Sequence, residues 1–331
     1  MTEPEAKSQA QAEPEIHPAE LPARKPWYRR QLWIWPVAII AALAVYYLGG
    51  MLWLHSVDDS PDFALESSAP EGGSKTVALT ADLIDREINT HRWVANDPFF
   101  MPGAMLDNMP NYQQGIIAGL SRFAIELTDQ IARTRGSSQV DPDLERASGL
   151  LRYPGTVWIF DLSTSFAPTA SSESQYRRAM TSLRDYNERL AAGNAVFETR
   201  ADNLLVTLDR IAADIGSSSA ALDRHLDEQS GWGLDFSADD LFYANKGRLY
   251  AYYLLLRALG EDYSRVIQER DLGTAWAQML ESFRAAATLQ PWVVINGAPD
   301  SQMLPSHLAS QGFFLLRART QLREITNILL K

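Results

Sequence analysis

LWIWPVAIIAALAVYYLGGMLWL, residues Leu32 to Leu54, is a run of 23 positions without a charged side chain. At about 1.5 Å per residue, a helix of this length covers the roughly 30 Å hydrocarbon core of a bilayer. Pro36 lies in the first turn of the run, where its missing N–H removes no intrahelical hydrogen bond. The run therefore predicts a single transmembrane helix in contact with a lipid bilayer.

The charges that flank this run differ between its two sides. Acidic residues precede the first base, Lys75, on the carboxyl-terminal side. Basic residues crowd the amino-terminal side: Arg24, Lys25, Arg29 and Arg30. Because an excess of Lys and Arg marks the cytoplasmic side of a membrane span, we expect a cytoplasmic N-terminus and a carboxyl-terminal domain on the opposite face.

Two other interpretations of the run stay open. A cleaved secretory signal has an apolar region of about 7 to 15 residues and a small-residue cleavage site, and this sequence matches neither feature well. Ala38 and Ala42 form a small-xxx-small pair of the kind that brings membrane helices together. Small residues are common in membrane helices, so an uncleaved anchor without span-driven dimerisation is favoured.

The predicted anchor divides the chain into four parts. Residues 1–31 are rich in Ala, Pro, Glu and Gln and predict a disordered cytoplasmic tail with a basic flank. Residues 32–54 form the span, and residues 55–75 are acidic and contain Pro and Gly, which predicts a flexible tether with a reach of roughly 25 Å. Residues 76–331 have the composition of a globular domain.

Composition excludes several classes of function. The formal net charge is −11, and residues 1–31 hold five acids and five bases, so the charge belongs to the span and the segments after it. An acidic surface repels phosphate backbones, which disfavours nucleic-acid binding. The chain has no cysteine, which excludes a disulfide framework, thiolate catalysis and cysteine-ligated zinc.

Apolar periodicity in residues 76–331 predicts an all-α domain, a bundle of about seven to nine helices with at most a minor β element. The only stretches with strand character are Val157 to Phe160 and Trp292 to Asn296, which are equally compatible with extended loops. Residues that can cap or open helices mark the predicted boundaries: Thr80, Asn108, Asp141 with Pro142, Ser172 with Gln175, Ser237 and Ser306.

A heptad-like seam runs through residues 197–222. Its two series of mostly apolar positions are Phe197, Leu204, Ile211 and Ser218, and Ala201, Leu208, Ile215 and Leu222. Such a seam is typical of a coiled coil between protomers or of an antiparallel helix pair within one chain. We favour the intramolecular pair, with a bend where Gly216 and three serines interrupt the pattern.

The sequence contains no phosphate-binding loop, dinucleotide fingerprint, nucleophile elbow or paired histidines, so no cofactor and no metal are predicted. Asp235, Asp239 and Asp240 form the densest carboxylate group, and Tyr250 lies ten residues after Asp240 in the same predicted helix. These four residues are the candidate ligand or acid site, since glycoside cleavage needs only two suitably placed carboxylates. The simpler interpretation is that the acids complement a helix N-terminus and the tyrosine packs in the core.

The most unusual stretch is WVANDPFFMPGAMLDNMPNYQQ, residues 93–114. Its three prolines forbid a long helix, so its large apolar area lies against the domain as an ordered loop or contacts another surface. A buried loop is favoured over an interaction surface or a membrane-facing one. The candidate interaction residues are Trp93, Phe99, Phe100, Met101 and Tyr112.

Several motifs resemble a known family. They are HSVDDSPDF (55–63), LDNMPNYQQGI (106–116), TDQIARTRGSSQVDPDL (128–144), YPGTVWIFD (153–161) and LFYANKGRLYAYYLLLRALGEDY (241–263). Together they resemble the proteobacterial envelope proteins grouped as domain of unknown function 2333, over about Leu48 to the C-terminus. The resemblance implies a Gram-negative inner-membrane setting, in which the domain that the flanking charges place opposite the cytoplasm would be periplasmic. It implies no activity and no catalytic residues.

Two classes of function are consistent with these observations. The first is a non-enzymatic scaffold or adaptor of the cell envelope, which would bind another envelope protein or a second copy of itself. The second is a carboxylate-based hydrolase or ligand-binding domain that acts on cell-wall material. The anchor, the helical seam and the lack of catalytic motifs favour the first.

Overall fold

A computed structural model of the chain describes residues 27–64, 69–131, 140–160, 166–229, 235–298 and 304–331. The structure is 72% helical, and the described residues form ten α-helices and no strand. The all-α prediction is therefore confirmed. The helices are α1 Trp27–Leu54, α2 Lys75–Asp85, α3 Asn108–Glu126, α4 Pro142–Leu151, α5 Ser172–Ala191, α6 Ala201–Gln229, α7 Phe236–Asp262, α8 Ser264–Glu269, α9 Gly273–Ala287 and α10 His307–Leu329.

Helix α1 contains the apolar run, and its Trp33–Leu54 portion is long and apolar enough to cross a membrane or to serve as a signal sequence. By internal contacts the chain divides into one unit that ends at Val45 and a second unit, Tyr46–Lys331. The tail predicted for residues 1–31 lies outside the described residues up to residue 26.

Two of the predicted caps are found at the expected residues, and three helices are capped one to six residues earlier than expected. Asp141 accepts hydrogen bonds from the first turn of α4, and Ser306 does the same for α10, as predicted. Three other caps lie earlier than expected, because the residue with extended backbone precedes the predicted one. The actual caps are Ser74 rather than Thr80, Ser171 rather than Ser172, and Asp235 rather than Ser237.

Helix α7 is the centre of the domain and packs against α2, α3 and α9. A helix surrounded in this way must be apolar on nearly all sides, and α7 is buried along most of its length from Asn245 to Leu259. Its closest neighbour is α3. A Cβ at Gly115 would overlap the Ala244 carbonyl, and a Cβ at Gly247 would overlap the Tyr112 carbonyl. The two backbones therefore touch where these glycines meet.

The heptad-like seam of α6 is buried within the chain, against α10 rather than against the preceding helix α5. Helix α6 continues through Gly216 without ending, where the sequence predicts a bend. A Cβ on Gly216 would lie 2.9 Å from the Arg319 guanidinium carbon of α10. The glycine therefore leaves room for the Arg319 side chain where α6 packs against α10.

The extended segment after α1 is part of the folded domain. The Tyr112 hydroxyl donates to the Asp58 carbonyl at 2.7 Å, and the Tyr250 hydroxyl donates to the Ser60 carbonyl at 2.8 Å. Asp59 is buried and accepts from Lys246 Nζ at 2.6 Å. The structure therefore differs over 57–63 from the flexible tether that the sequence predicts for 55–75, because these carbonyls and carboxylates satisfy buried donors on α3 and α7.

The two stretches with strand character are loops. The Val157 carbonyl accepts from the Ser172 amide, and the Ile159 carbonyl accepts from the Thr169 amide. The only β-type pairing within the described residues is an isolated antiparallel bridge between Asn296 and Ser306. Neither stretch pairs with the other, so the β element that the sequence allows is reduced to this bridge.

Candidate functional site

The acidic residues predicted at the start of α7 lie around a shallow cavity of about 190 Å³. Asp235 and Asp239 line it together with Asp107, which caps α3. Asp240 lies beside this group and accepts from the Asn111 amide at 2.7 Å. The remaining lining residues are Asn108, Phe236, Tyr243, Trp292, Val293 and Val294.

Asp235 is the N-cap of α7 and carries a stable negative charge. Burial would raise its pKa, but hydrogen bonds from Ser237, His225 and Asn296 outweigh burial and lower the pKa to about 2. His225 Nε2 lies 2.7 Å from the carboxylate. The capping interpretation of the sequence is thus correct in kind, although it assigned the cap to Ser237.

Asp239 has the opposite electrostatic environment. Burial raises its pKa, and the nearby carboxylates of Asp107 and Asp240 raise it further, to about 6. The Asn108 side-chain amide lies between Asp107 and Asp239, where its nitrogen can donate to both. The cavity therefore contains one carboxyl group that is ionised at all ordinary pH values and one that titrates near neutrality.

Tyr250 does not belong to this cavity. Its side chain is fully buried, and its hydroxyl accepts from Arg86 Nη1 at 2.9 Å and donates to the Ser60 carbonyl. The structure thus brings together three of the four residues of the candidate acid site and separates the fourth. Tyr250 is packed in the core, as the simpler interpretation of the sequence predicts.

A larger cavity of about 640 Å³ lies between α3, α6, α7 and the loop after α4. It shares Arg122, Ile125, Asp214 and Ser217 with a neighbouring cavity of about 360 Å³. We call the two together the α3–α6 groove. Ligand sites commonly occupy about 300 to 1,000 Å³ and are lined by apolar groups with a few polar ones. The apolar lining of the larger cavity includes Ile117, Ala118, Ile125 and Leu151.

Asp214 on α6 is the centre of the charged groups in the groove. It accepts from the Tyr252 hydroxyl at 2.8 Å and lies 3.4 Å from Arg122 Nε and 3.6 Å from Arg248 Nε. The Arg248 Nε atom is buried and donates no hydrogen bond. Arg152 also lines the larger cavity, which therefore holds three arginines and one aspartate. The larger cavity is therefore basic on an acidic chain, whereas the smaller one adds Arg210 together with the acids Glu126 and Asp129.

The candidate interaction residues divide into two groups. Trp93 and Tyr112 are fully buried, and Trp93 donates to the Gly155 carbonyl at 2.8 Å. Phe99 and Phe100 are exposed, and Met101 is half-buried. The structure therefore supports burial for Trp93 in the loop and for Tyr112 on α3, and an exposed apolar loop tip at Phe99 and Phe100.

The exposed phenylalanines continue into a second loop. Phe99 and Phe100 have ring centroids 5.4 Å apart, and the Phe100 ring is 5.6 Å from that of Trp158. Trp158 in turn lies 5.5 Å from Phe160. These four side chains form a continuous row, which we call the aromatic ridge.

The sequence profile described as "Uncharacterized protein conserved in bacteria (DUF2333)" matches residues 27–231 of the chain. The chain belongs to the DUF2333 family. No curated protein and no solved structure matches it. The DUF2333 match includes α1, the aromatic ridge and the α3 and α6 sides of the groove, and it ends before Asp235 and the motif at 241–263.

Sequence reasoning missed the groove of this DUF2333 protein. Arg122, Asp214 and Arg248 lie on three helices that are far apart in the sequence, so no spacing motif connects them. One local signal was present in the sequence. Asp214 directly precedes Ile215, a buried residue of the seam, so its carboxylate lies next to the buried face of α6. Among the described residues, no group of three or more His, Cys, Asp or Glu side chains is placed to hold a metal ion.

Proposed function

We propose that this DUF2333 protein is a membrane-anchored scaffold or adaptor of the bacterial cell envelope. Helix α1 is its uncleaved anchor in the inner membrane, with the N-terminus in the cytoplasm and the domain in the periplasm. The charge asymmetry around the apolar run supports this orientation. The large groove supports the binding role.

The end of α1 supports an anchor that is retained. The Tyr47 hydroxyl donates to the Phe99 carbonyl at 2.9 Å, and a Cβ on Gly50 would overlap the Pro102 ring. Cleavage near residues 50–56 would remove the tyrosine contact and expose the surface that Gly50 covers. These contacts favour an anchor over a signal sequence.

The observation that carries the binding role is the positive charge of the larger cavity of the α3–α6 groove. Three arginines and several aliphatic side chains line its larger cavity, while the chain as a whole has a net charge of −11. Complementary charge brings partners together and fixes their register. The occupant that fits is a segment of another envelope protein that carries both acidic and aliphatic side chains.

A photo-crosslinking experiment tests this role in living cells. A photoreactive phenylalanine at Ile125 is expected to give a discrete product with one envelope protein. Charge reversal at the exposed rim residues, Arg122→Glu with Arg152→Glu, is expected to reduce that product about tenfold, which corresponds to about 1.4 kcal/mol. The yield is measured by immunoblot, and the partner is identified by mass spectrometry.

The matched control is Arg265→Glu, because Arg265 is an exposed arginine on α8 outside the groove. This variant is expected to leave the product unchanged. A product of the same yield in all variants, or no product from Ile125, contradicts the proposal. A product containing two copies of this chain identifies self-association as the adaptor contact.

One observation favours a second candidate, a domain that binds or cleaves cell-wall glycans. The acidic cavity pairs a carboxyl group of pKa about 2, Asp235, with one of pKa about 6, Asp239. Carboxyl groups with separated pKa values can act as base and acid. The aromatic rings of Phe236 and Trp292, which are exposed at this cavity, offer stacking surfaces for sugars.

The pH dependence of wall degradation tests the second candidate. Protonated Asp239 becomes scarce as the pH rises through about 6, whereas Asp235 is ionised above about 2. Release of soluble fragments from purified cell wall is therefore expected between these values and should fall above pH 6. Alanine at Asp235, Asp239 and Asp240 should abolish this release, whereas Asp209→Ala, at an exposed residue of α6, should leave it unchanged. Activity that survives the triple replacement excludes these residues.

A further inference from the structure

The aromatic ridge lies beside the last turns of the apolar helix. Tyr46 and Tyr47 precede Leu54 by eight and seven residues, which places them about 10 to 12 Å from the end of the apolar run, toward its interior. The Tyr46 hydroxyl donates to the Phe100 carbonyl at 3.3 Å, and the Tyr47 hydroxyl donates to the Phe99 carbonyl at 2.9 Å. The loop that carries the two phenylalanines is therefore level with these tyrosines.

A close backbone contact holds the loop at this level. Gly50 lies against the Pro102 ring so closely that a Cβ at Gly50 would overlap it. Gly49, the preceding residue, has no atom within 4 Å of the position of its Cβ. The absence of a side chain at Gly50 thus lets the loop approach α1.

The loop is apolar and uncovered. Residues 98–106, PFFMPGAML, contain no charged side chain, and neither do residues 157–160, VWIF. Phe99 is 83% exposed, Phe100 45%, and Met105 63%. Exposed apolar groups of this size on contiguous loops mark an interaction site.

The chemistry of the contact fits a bilayer. Aromatic side chains are enriched at the interface between hydrocarbon and headgroups. Irregular backbone at membrane depth is tolerated only where it is buried in protein or lines a water-filled cavity. The two tyrosine hydroxyls cover the Phe99 and Phe100 carbonyls, so the aromatic rings, rather than these backbone acceptors, would face the lipid.

We infer that the aromatic ridge inserts into the leaflet on the domain side of the membrane that α1 crosses. This inference rests on the proposed anchoring of α1. Lipid is the occupant, because the ridge lies level with Tyr46 and Tyr47 and continues the exposed apolar surface of the last turns of α1. The domain then has two membrane contacts, the helix and the ridge, and these fix its orientation on the bilayer.

Spin labelling tests the insertion with the full chain in nanodiscs of phosphatidylethanolamine and phosphatidylglycerol. The chain has no cysteine, so a single Phe99→Cys substitution gives a unique nitroxide site. We expect this label to collide with oxygen, which concentrates in lipid, more than with a water-soluble nickel chelate. The membrane reference is Ile40→Cys on α1, and the aqueous reference is Phe313→Cys on the exposed side of α10.

The reference labels distinguish a failure of the proposed ridge insertion from a failure of the proposed anchor. A lipid-exposed label at Ile40 with a water-exposed label at Phe99 would overturn the insertion and leave the anchor intact, whereas a water-exposed label at Ile40 would overturn the anchor. A label at Phe99 shielded from both reagents would show that protein covers the ridge, which also overturns the insertion.

The contact with α1 has its own matched pair of variants. Gly50→Leu is expected to displace Pro102 and shift the Phe99 label toward water. Gly49→Leu adds the same side chain where there is open space and is expected to leave the label in lipid. Equal lipid exposure in the two variants would overturn the role of the α1 contact in placing the ridge.

Discussion

Gly247→Ala is expected to lower the free energy of unfolding by about 3 kcal/mol, the upper end of what overpacking usually costs. The added methyl group would overlap the Tyr112 carbonyl oxygen and lie 2.9 Å from its carbonyl carbon. Neither atom can rotate away, since they belong to the backbone of α3. Because Gly115 faces the backbone of α7 in the same way, Gly115→Ala is expected to have a similar effect.

Thermal unfolding of the detergent-solubilised full chain measures this cost, and the chain offers a matched control. Gly149 is exposed on α4, and no atom lies within 4 Å of the position of its Cβ. Gly149→Ala is expected to stabilise the protein by about 0.5 to 1 kcal/mol through helix propensity. A Gly247→Ala protein that melts as late as the Gly149→Ala protein would contradict the close packing of α3 and α7.

Lys246→Met is expected to cost about 3 to 5 kcal/mol, because it leaves a buried carboxylate without its cation. Lys246 is 1% exposed, and its Nζ atom donates to Asp59 and to the Leu289 carbonyl. Burial lowers the pKa of Lys246, and the neighbouring Asp59 carboxylate opposes this shift. The Gln290 amide still donates to Asp59 in the variant, at 2.8 Å, but supplies no charge.

Two further variants show whether the ion pair is responsible. Lys75→Met removes an ion pair with Glu261 in which both side chains are about half exposed, and it is expected to cost less than about 1 kcal/mol. The double variant Lys246→Met with Asp59→Asn is expected to be more stable than Lys246→Met alone, because it removes the orphaned charge. Additive losses would show that Lys246 and Asp59 do not interact in the folded protein.

The long apolar helix α1 and the all-α class could be predicted from sequence because their signals are local. Twenty-three uncharged positions need no knowledge of tertiary structure, and neither does a cap such as Asp141, whose partners are two and three residues away. Apolar periodicity likewise reports that one face of a helix is buried. It does not identify the element that covers that face, which is why the partner of α6 is α10 rather than its neighbour in sequence.

The acid site and the groove show where sequence reasoning ends. Asp59 looks like a solvated charge in an acidic linker, yet its cation lies 187 residues away. Tyr250 follows the α7 acids in sequence, yet it contacts Arg86 instead. In both cases the local composition is the same whether the side chain is solvated, buried or paired. Only the tertiary contacts distinguish these states.

The docking of residues 57–63 also sets an order of events during biosynthesis. Asp58, Asp59 and Ser60 are made early, but the side chains that receive Asp59 and Ser60 belong to α7. At about 5 to 20 residues per second, Lys246 is added about 10 to 40 seconds after Asp59. Until then the carboxylate has no cation to pair with. The segment that follows α1 is thus synthesised well before the α7 side chains that complete its native contacts.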